Sequence, residues 1–476
     1  MKNKHQDQWA PADFIREEEI EKLLAHAAAS SKEQAEAVLE KAALGKGLTP
    51  EEAAVLLHIT DETLLTRLYQ TAGKVKDKIY GKRVVLFAPL YISDYCVNEC
   101  VYCGYRAGNS FTRRKLTQAE IKEEVEILES MGHKRLAVEA GEHPGECSID
   151  YVLECLKTIY EIKFENGSIR RANVNIAADR VENYASLKDA GIGTYILFQE
   201  TYHRATYHHM HKSGPKADYD WHTTAHDRAM EAGIDDVGFG VLFGLYDYKY
   251  EVLALLQHAL HLEERFGVGP HTVSVPRLRP AVGMDYSQFP YLVKDEEFTK
   301  IIAVLRLALP YAGLILSTRE RADYRDELLA YGVSQISAGS CTGVGGYKKE
   351  QERKEGKSGE DTPQFYVDDH RSANDVLEAL CRSGWLPSFC TACYRQGRTG
   401  DRFMELAKSG EIQNVCQPNA ILTFKEYLID YGTPELIALG NEVIERHVAD
   451  IKNEQTRRLT KEKLAELEAG HRDIYF

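Results

Sequence analysis

The chain has 476 residues, 43% hydrophobic and 28% charged, with a formal net charge of -14. Nucleic-acid binding rests on clustered Lys and Arg, so this acidic balance disfavours a phosphate-backbone partner. The N-terminus lacks the apolar core of a secretory signal and no stretch approaches the ~18 apolar residues of a membrane span, so the expectation is a cytoplasmic protein without membrane contact. Ten cysteines in so long a chain make no disulfide scaffold, and in a reducing compartment grouped thiols bind metal or do redox chemistry.

Residues 1–83 alternate Glu-, Lys- and Ala-rich helical patterns with breaks such as GKGLTPEE, where Thr49 caps a helix beginning at Pro50. From Val84 the rhythm changes. Eight β-branched or apolar runs (84–92, 135–140, 172–178, 194–200, 236–244, 271–278, 313–318 and 335–339) alternate with helical patterns. This predicts an α/β chain with a complete (β/α)8 TIM barrel over 84–345, whose catalytic residues sit where strands end. An open doubly wound sheet is the alternative. Residues 346–366, dense in charge, Gly and Ser, read as a flexible loop. Residues 367–476 read as a helical C-terminal domain interrupted by CTACYRQGRTG.

Directly after the first run, Cys96, Cys100 and Cys103 form C-x3-C-x2-C. Three thiolates suit an iron–sulfur cube, which would keep one iron open to an exogenous ligand. A structural zinc site takes four ligands, and no fourth Cys or His lies nearby in sequence. The second run leads into GEHPGE, with Glu142 and Glu146, and the third ends near Asp179 and Arg180. QETY brings Gln199 and Glu200 to the end of the fourth run. HHMH (208–211) reads as a rim loop. His271 starts the sixth run, which places it at the bottom of a barrel, while Arg277 and Arg279 follow that run. LSTRE carries Ser317, Arg319 and Glu320 past the seventh run, and Cys155 falls on an apolar helical face. In the tail, Cys390, Cys393 and Cys416 form C-x2-C-x22-C beside Arg395 and Arg398, cations that lower thiol pKa. That second set suits another cluster, or a zinc knuckle lacking its fourth ligand.

The run CVNECVYCGY resembles the signature of radical S-adenosylmethionine (SAM) enzymes. The resemblance implies a 4Fe-4S cluster on Cys96, Cys100 and Cys103 whose open iron chelates SAM, and an electron that cleaves SAM to methionine and a 5′-deoxyadenosyl radical. It also implies Tyr102 near the adenine, Glu142 and Glu146 in the segment that contacts the SAM amino group, and Glu200 and Arg180 as SAM or substrate contacts. Taken with QETYHRATYHHMHKSGP, PHTVSVPRLRP, LSTRE and the terminal thiols, the chain from about residue 80 onward is similar to the radical SAM tyrosine lyases that mature FeFe-hydrogenase.

That similarity implies cleavage of L-tyrosine to p-cresol and dehydroglycine, and conversion of the latter to carbon monoxide and cyanide. These would be collected at an auxiliary iron–sulfur cluster on Cys390, Cys393 and Cys416, carrying an extra labile iron with L-cysteine as a bridging ligand and His271 on the iron. Ser317, Arg319 and Glu320 would face the substrate. The implied partners are SAM, L-tyrosine, L-cysteine, an electron donor such as ferredoxin or flavodoxin, and other hydrogenase maturation proteins. The tyrosine lyase of thiamine thiazole synthesis resembles the barrel and lacks the terminal triad. A third reading, a non-catalytic iron–sulfur scaffold or carrier, has no need of polar segments at successive strand ends.

Overall fold

A computed structural model describes residues 10–164, 167–357 and 362–476. Its centre is a parallel sheet of β1 (Arg83–Ser93), β2 (Arg135–Ala140), β3 (Arg171–Asn175), β4 (Tyr195–Glu200), β5 (Val237–Val241), β6 (Thr272–Ser274), β7 (Gly313–Leu316) and β8 (Gln335–Ser337). These pair in sequence order, and β1 closes on both β2 and β8. The eight predicted runs are these eight strands, so the closed barrel holds and the open sheet does not.

The sequence pattern misses a ninth strand, β9 (Leu386–Ser388). Val85 of β1 pairs with Gln335 on one edge and Ser388 on the other, while from Ala88 onward that second edge takes β2. A strand has two edges, so β9 occupies the stretch of β1 below the start of β2. Three residues containing Pro387 carry too little periodicity to read, and proline fits a strand only at such an edge.

Helices clothe the barrel as their patterning dictates. In Ile149–Glu161 the buried Val152, Cys155, Leu156 and Ile159 follow the i, i+3, i+4, i+7 spacing of one helical face, so Cys155 is core. Thr49 caps Pro50–Leu57 in a reciprocal box with Glu52, and Thr117 does the same with Glu120 for Gln118–Ser130. Among the described residues four helices precede β1, the last being Glu62–Tyr80. Its buried Lys76 donates to Leu329 O at 3.1 Å and lies 3.6 Å from the Trp385 ring, joining preface, barrel and tail. Among the described residues, no helix is long and apolar enough to cross a membrane.

Two sequence expectations change. Part of the supposed loop 346–366 is helical, Gly346–Lys354, and is anchored by Tyr347 donating to Pro89 O at 2.7 Å. Residues 358–361 of that loop lie outside the described residues, and Gln364 and Phe365 return to line the barrel cavity. HHMH is no open loop either, since Arg204–Met210 is a short helix that His211 leaves. Helix spacing satisfies backbone groups that an exposed loop would have left to water.

The tail is locked to the barrel by a buried ion pair between Arg325 and Asp369, with Arg325 also donating to Ser337 O of β8. Arg325→Ala leaves a buried carboxylate with Arg371 as its remaining cation. The expected cost is about 3 kcal/mol, read as a fall in the urea unfolding midpoint. An unchanged midpoint would show that Arg371 suffices.

Candidate active site and second thiol site

Parallel strands deliver their C-terminal ends to one face of the barrel. There the loop after β1 carries Cys96, Cys100 and Cys103, and all three line a cavity running down into the barrel. The loop is held by main-chain bonds: Val97 N–H donates to Glu142 O at 2.8 Å, Val101 N–H to Met210 O at 3.0 Å, and Gly104 N–H to Gln364 O at 3.0 Å. A Cβ on Gly104 would sit 2.7 Å from both Gln364 O and Pro363 O, and one on Gly141 2.4 Å from Tyr95 O, so close approach requires glycine at both. Burial pushes the Cys103 thiol up to about 11 and the Cys100 thiol well above its ordinary value. Such thiols ionise on binding metal, which displaces their protons. The Tyr105 N–H already lies 3.4 Å from Cys103 Sγ, the kind of donor that tunes a cluster. Among the described residues, no three His, Cys, Asp or Glu side chains close around a single metal ion. A cube, with irons at separate corners, asks for thiols spread more widely than one ion would.

Several predicted residues meet in this cavity. Glu142 lines it and accepts from Asn98 Nδ2 at 2.5 Å. Tyr102 hydrogen-bonds His211 Nε2 at 2.7 Å. Glu200 follows an irregular register between Phe198 and Glu200 and has a φ of +68°, a left-handed conformation rare outside glycine. That turn directs its carboxylate to Lys216 Nζ at 2.8 Å. Burial opposes the Lys216 charge, but Glu200 and Cys100 outweigh it and hold the ammonium above its ordinary range. Ser317 and Arg319 also line the cavity, with the Arg319 guanidinium 3.3 Å from the Phe365 ring centroid.

Others do not. Glu146 turns outward to Lys115, 3.0 Å away. Glu320 is fully buried behind the wall, ion-paired to Arg277 and Arg279, so these three hold one another. Arg180 lines a neighbouring cavity that shares Gly141 and Glu142 with the first. Sequence reasoning missed Lys216, Asn98 and Glu139. Glu139 faces inward from β2, where burial pushes it up to about 8 despite the opposing effects of Asn175 and Arg319. An acid at an inward position of the apolar run RLAVEA was the available signal.

At the opposite end lie the other thiols. Cys390 follows β9, Cys393 sits in the short helix Ala392–Arg395, and Cys416 lies one turn into the long helix Ile412–Tyr431. A hydrogen bond from Cys393 is the main cause that lowers Cys416 to about 6, and Arg83 and Arg398 act in the same direction. Arg395 does not take part, being paired to Asp473 at 2.6 Å. His271 precedes β6 at this base, as expected. Its Nδ1 is 3.5 Å from Asp236 Oδ2 and its ring centroid 4.1 Å from that of Phe403.

A closed parallel barrel with C-x3-C-x2-C on the loop after its first strand defines a radical SAM enzyme, and residues 90–259 match the Radical SAM superfamily. Residues 274–386 match the Biotin and Thiamin Synthesis associated domain. The chain is 59% identical to a crystal structure of HydG, a maturase of the [FeFe]-hydrogenase, with a TM-score of 0.94 over 98% of this chain and 100% of that one. It is 40% identical to the FeFe-hydrogenase maturase HydG from Carboxydothermus hydrogenoformans, with a TM-score of 0.82 over 95% and 99%. It is also 33% identical over 351 residues to 2-iminoacetate synthase of Escherichia coli (strain K12), 73% of this chain and 89% of that protein. The chain belongs to the HydG family.

A radical SAM enzyme takes a 4Fe-4S cluster and SAM, and the cavity fits them. It offers three thiols, the half-satisfied Glu142, and Ser340 Oγ, which is buried with no hydrogen-bond partner among the described residues. The Glu200–Lys216 pair stands beside the thiols, so Lys216→Met strands a buried carboxylate there. SAM affinity of the reconstituted protein should fall about tenfold, followed by titrating SAM against the EPR signal of the reduced cluster. Unaltered SAM binding would place the pair outside the SAM site.

Proposed function

We propose that this protein is a lyase that cleaves the Cα–Cβ bond of L-tyrosine and passes the two-carbon fragment to an iron site for [FeFe]-hydrogenase maturation. Cys96, Cys100 and Cys103 would hold the cluster, which would supply the electron for SAM cleavage, and the resulting radical would take a hydrogen from the tyrosine amino group. Scission of the Cα–Cβ bond then leaves dehydroglycine and a 4-hydroxybenzyl radical. That radical takes one more electron from the external reductant and one proton to become p-cresol, the abstracted hydrogen having left on 5′-deoxyadenosine. Dehydroglycine, as its carboxylate, then gives carbon monoxide, cyanide and water, a redox-neutral split that balances in atoms and charge. The single observation carrying this reading is the second thiol set beneath the barrel, with His271 beside it. The thiamine-type lyase, on sequence resemblance, has no such triad.

The barrel over 84–345 would do the radical cleavage and the tail from 367 the assembly. Arg319 supplies a guanidinium for the tyrosine carboxylate, a bidentate match that Lys cannot make. Ser317 stands beside it, and Gln364 and Phe365 help exclude water from above. At the base, Cys390, Cys393 and Cys416 would hold the auxiliary cluster. His271 would bind the additional iron that carries carbon monoxide, cyanide and L-cysteine as cargo. Asp236, buried with neither oxygen hydrogen-bonded among the described residues, stands 3.5 Å from Nδ1, where it would orient the imidazole as carboxylates behind metal-binding histidines do.

Anaerobic reconstitution with iron and sulfide, followed by SAM, reductant and tyrosine, should give p-cresol together with carbon monoxide and cyanide. Absence of p-cresol sinks the tyrosine-lyase reading. p-Cresol without the diatomics favours the thiazole-type lyase. Cys393→Ala should keep p-cresol within about twofold and lower carbon monoxide at least about tenfold, a separation expected for interactions that serve only the later step.

Glu139 adds a pH signature. It is neutral below about 8 and becomes a carboxylate above it. Once ionised it competes with the substrate carboxylate for Arg319, so KM for tyrosine should rise as pH climbs through 8. Glu139→Gln, neutral throughout, should flatten that rise, and an identical profile in both proteins would remove Glu139 from the substrate site.

A further inference from the structure

Alternation along a strand sends every second side chain into the barrel. Phe87 of β1, Ala137 of β2 and Asn173 of β3 line the cavity. The same inward rows, followed one or two steps toward the strand starts, reach Arg83, Arg135 and Arg171. Three consecutive strands thus end their inward rows in arginine at the base, beside Cys390, Cys393 and Cys416.

These arginines are unusual in what they lack. None is ion-paired to a carboxylate among the described residues, and Nε of both Arg83 and Arg171 is buried without a hydrogen-bond partner there. Carboxylates are close by: Arg170, one residue from Arg171 and facing the other way, pairs with Glu426 and with Asp473 at 3.0 Å. Tyr394, next to Cys393, knits the tier together. Its hydroxyl accepts from Arg135 Nη2 at 2.8 Å and lies 3.1 Å from Thr194 Oγ1, and its ring centroid is 4.2 Å from the Arg171 guanidinium and 6.2 Å from the His271 ring. Part of the positive charge answers the thiols, since Cys416 and Cys390 are the groups that raise Arg83 against the effect of burial. Arg171 stacks on Tyr394 and donates Nη1 to Gly191 O at 3.0 Å, while its buried Nε has no hydrogen-bond partner among the described residues. Cations held with donors unmet are matched by a ligand that is anionic and accepts at two points.

We propose that Arg83, Arg135 and Arg171 form a carboxylate clamp at the barrel base, which holds a small α-imino or α-amino acid against the Cys390–Cys393–Cys416 site. The clamp rests on the function proposed above and names the residues that retain its two-carbon fragment. Two molecules share the required chemistry: dehydroglycine arriving from the cavity, and the free L-cysteine that accompanies the iron. If the fragment escapes instead, water adds to its C=N bond and expels ammonia, giving glyoxylate without any change of oxidation state.

The test uses full-length Arg171→Gln and Arg135→Gln with Arg171→Lys as the conservative partner, each reconstituted and checked for both clusters by iron content and EPR. For a clamp on dehydroglycine, p-cresol holds, carbon monoxide per p-cresol falls about tenfold, glyoxylate rises to match, and lysine restores part of the yield. For a clamp on L-cysteine, the concentration of L-cysteine needed to perturb the auxiliary-cluster EPR signal rises about tenfold in the glutamine variants. Either result supports the proposal and identifies its ligand. Wild-type carbon monoxide yield together with wild-type L-cysteine titration, in variants with both clusters present, overturns it. Should even the wild type make no p-cresol, the lyase reading fails separately, and the L-cysteine titration still decides the clamp.

Discussion

Both thiol sites hang from one strand. β1 has eleven residues, roughly 33 Å of extended chain, and its edges serve three partners: β8 on one side, and β9 then β2 on the other. Its C-terminal end leads into the Cys96 loop. Its N-terminal end carries Arg83 and pairs with β9, the strand that delivers Cys390. Each of these contacts is a main-chain ladder, so the strand ends from which the two sites start are tied to one another through the barrel wall.

The barrel interior suits that demand. A (β/α)8 core is ordinarily filled by branched apolar layers, yet here Asn173, Ser274, Gln335 and Ser337 face inward and line the cavity. Small residues preserve the space: a Cβ on Gly238 would stand 2.3 Å from Thr272 Oγ1, and one on Gly313 2.3 Å from Gln335 Nε2. Polar groups inside a barrel cost free energy unless bonded, and Thr272 Oγ1 is buried with no partner among the described residues. The fold tolerates this cost at the level joining the cavity to the base.

The strands were legible because period-two runs separated by amphipathic helices leave few other folds, and the thiol spacings were legible because ligand geometry is local. His271 could be placed at the base from its position at the start of a run. What escaped was set by direction or by distance along the chain. Glu146 and Glu320 occupy loops after strands just as Glu142 and Arg319 do, but nothing local tells whether such a side chain turns to the cavity or to Lys115 and Arg277. Lys216 reaches Glu200 from a separate turn after the short helix Arg204–Met210, and Gln364 meets Gly104 across most of the chain. Contacts of that kind follow from packing, which a single sequence does not display.

Charge differs between the two ends, and the difference has a direction. Near the first thiols the inward acid Glu139 is held near 8, so at neutral pH most of it is uncharged, and Lys216 is occupied by Glu200. At the base, Arg83 and Arg398 help lower Cys416 to about 6, after the hydrogen bond from Cys393. Arg135 and Arg171 stand there with no ion-paired carboxylate among the described residues. In the upper cavity Arg319 is the cation that a substrate carboxylate meets, whereas an anionic fragment that leaves it finds three further guanidinium groups below. In a low-dielectric interior such a difference acts over several ångströms. Cleavage itself thus makes the species that the base attracts, and the bulky phenol, carrying no carboxylate, is left behind.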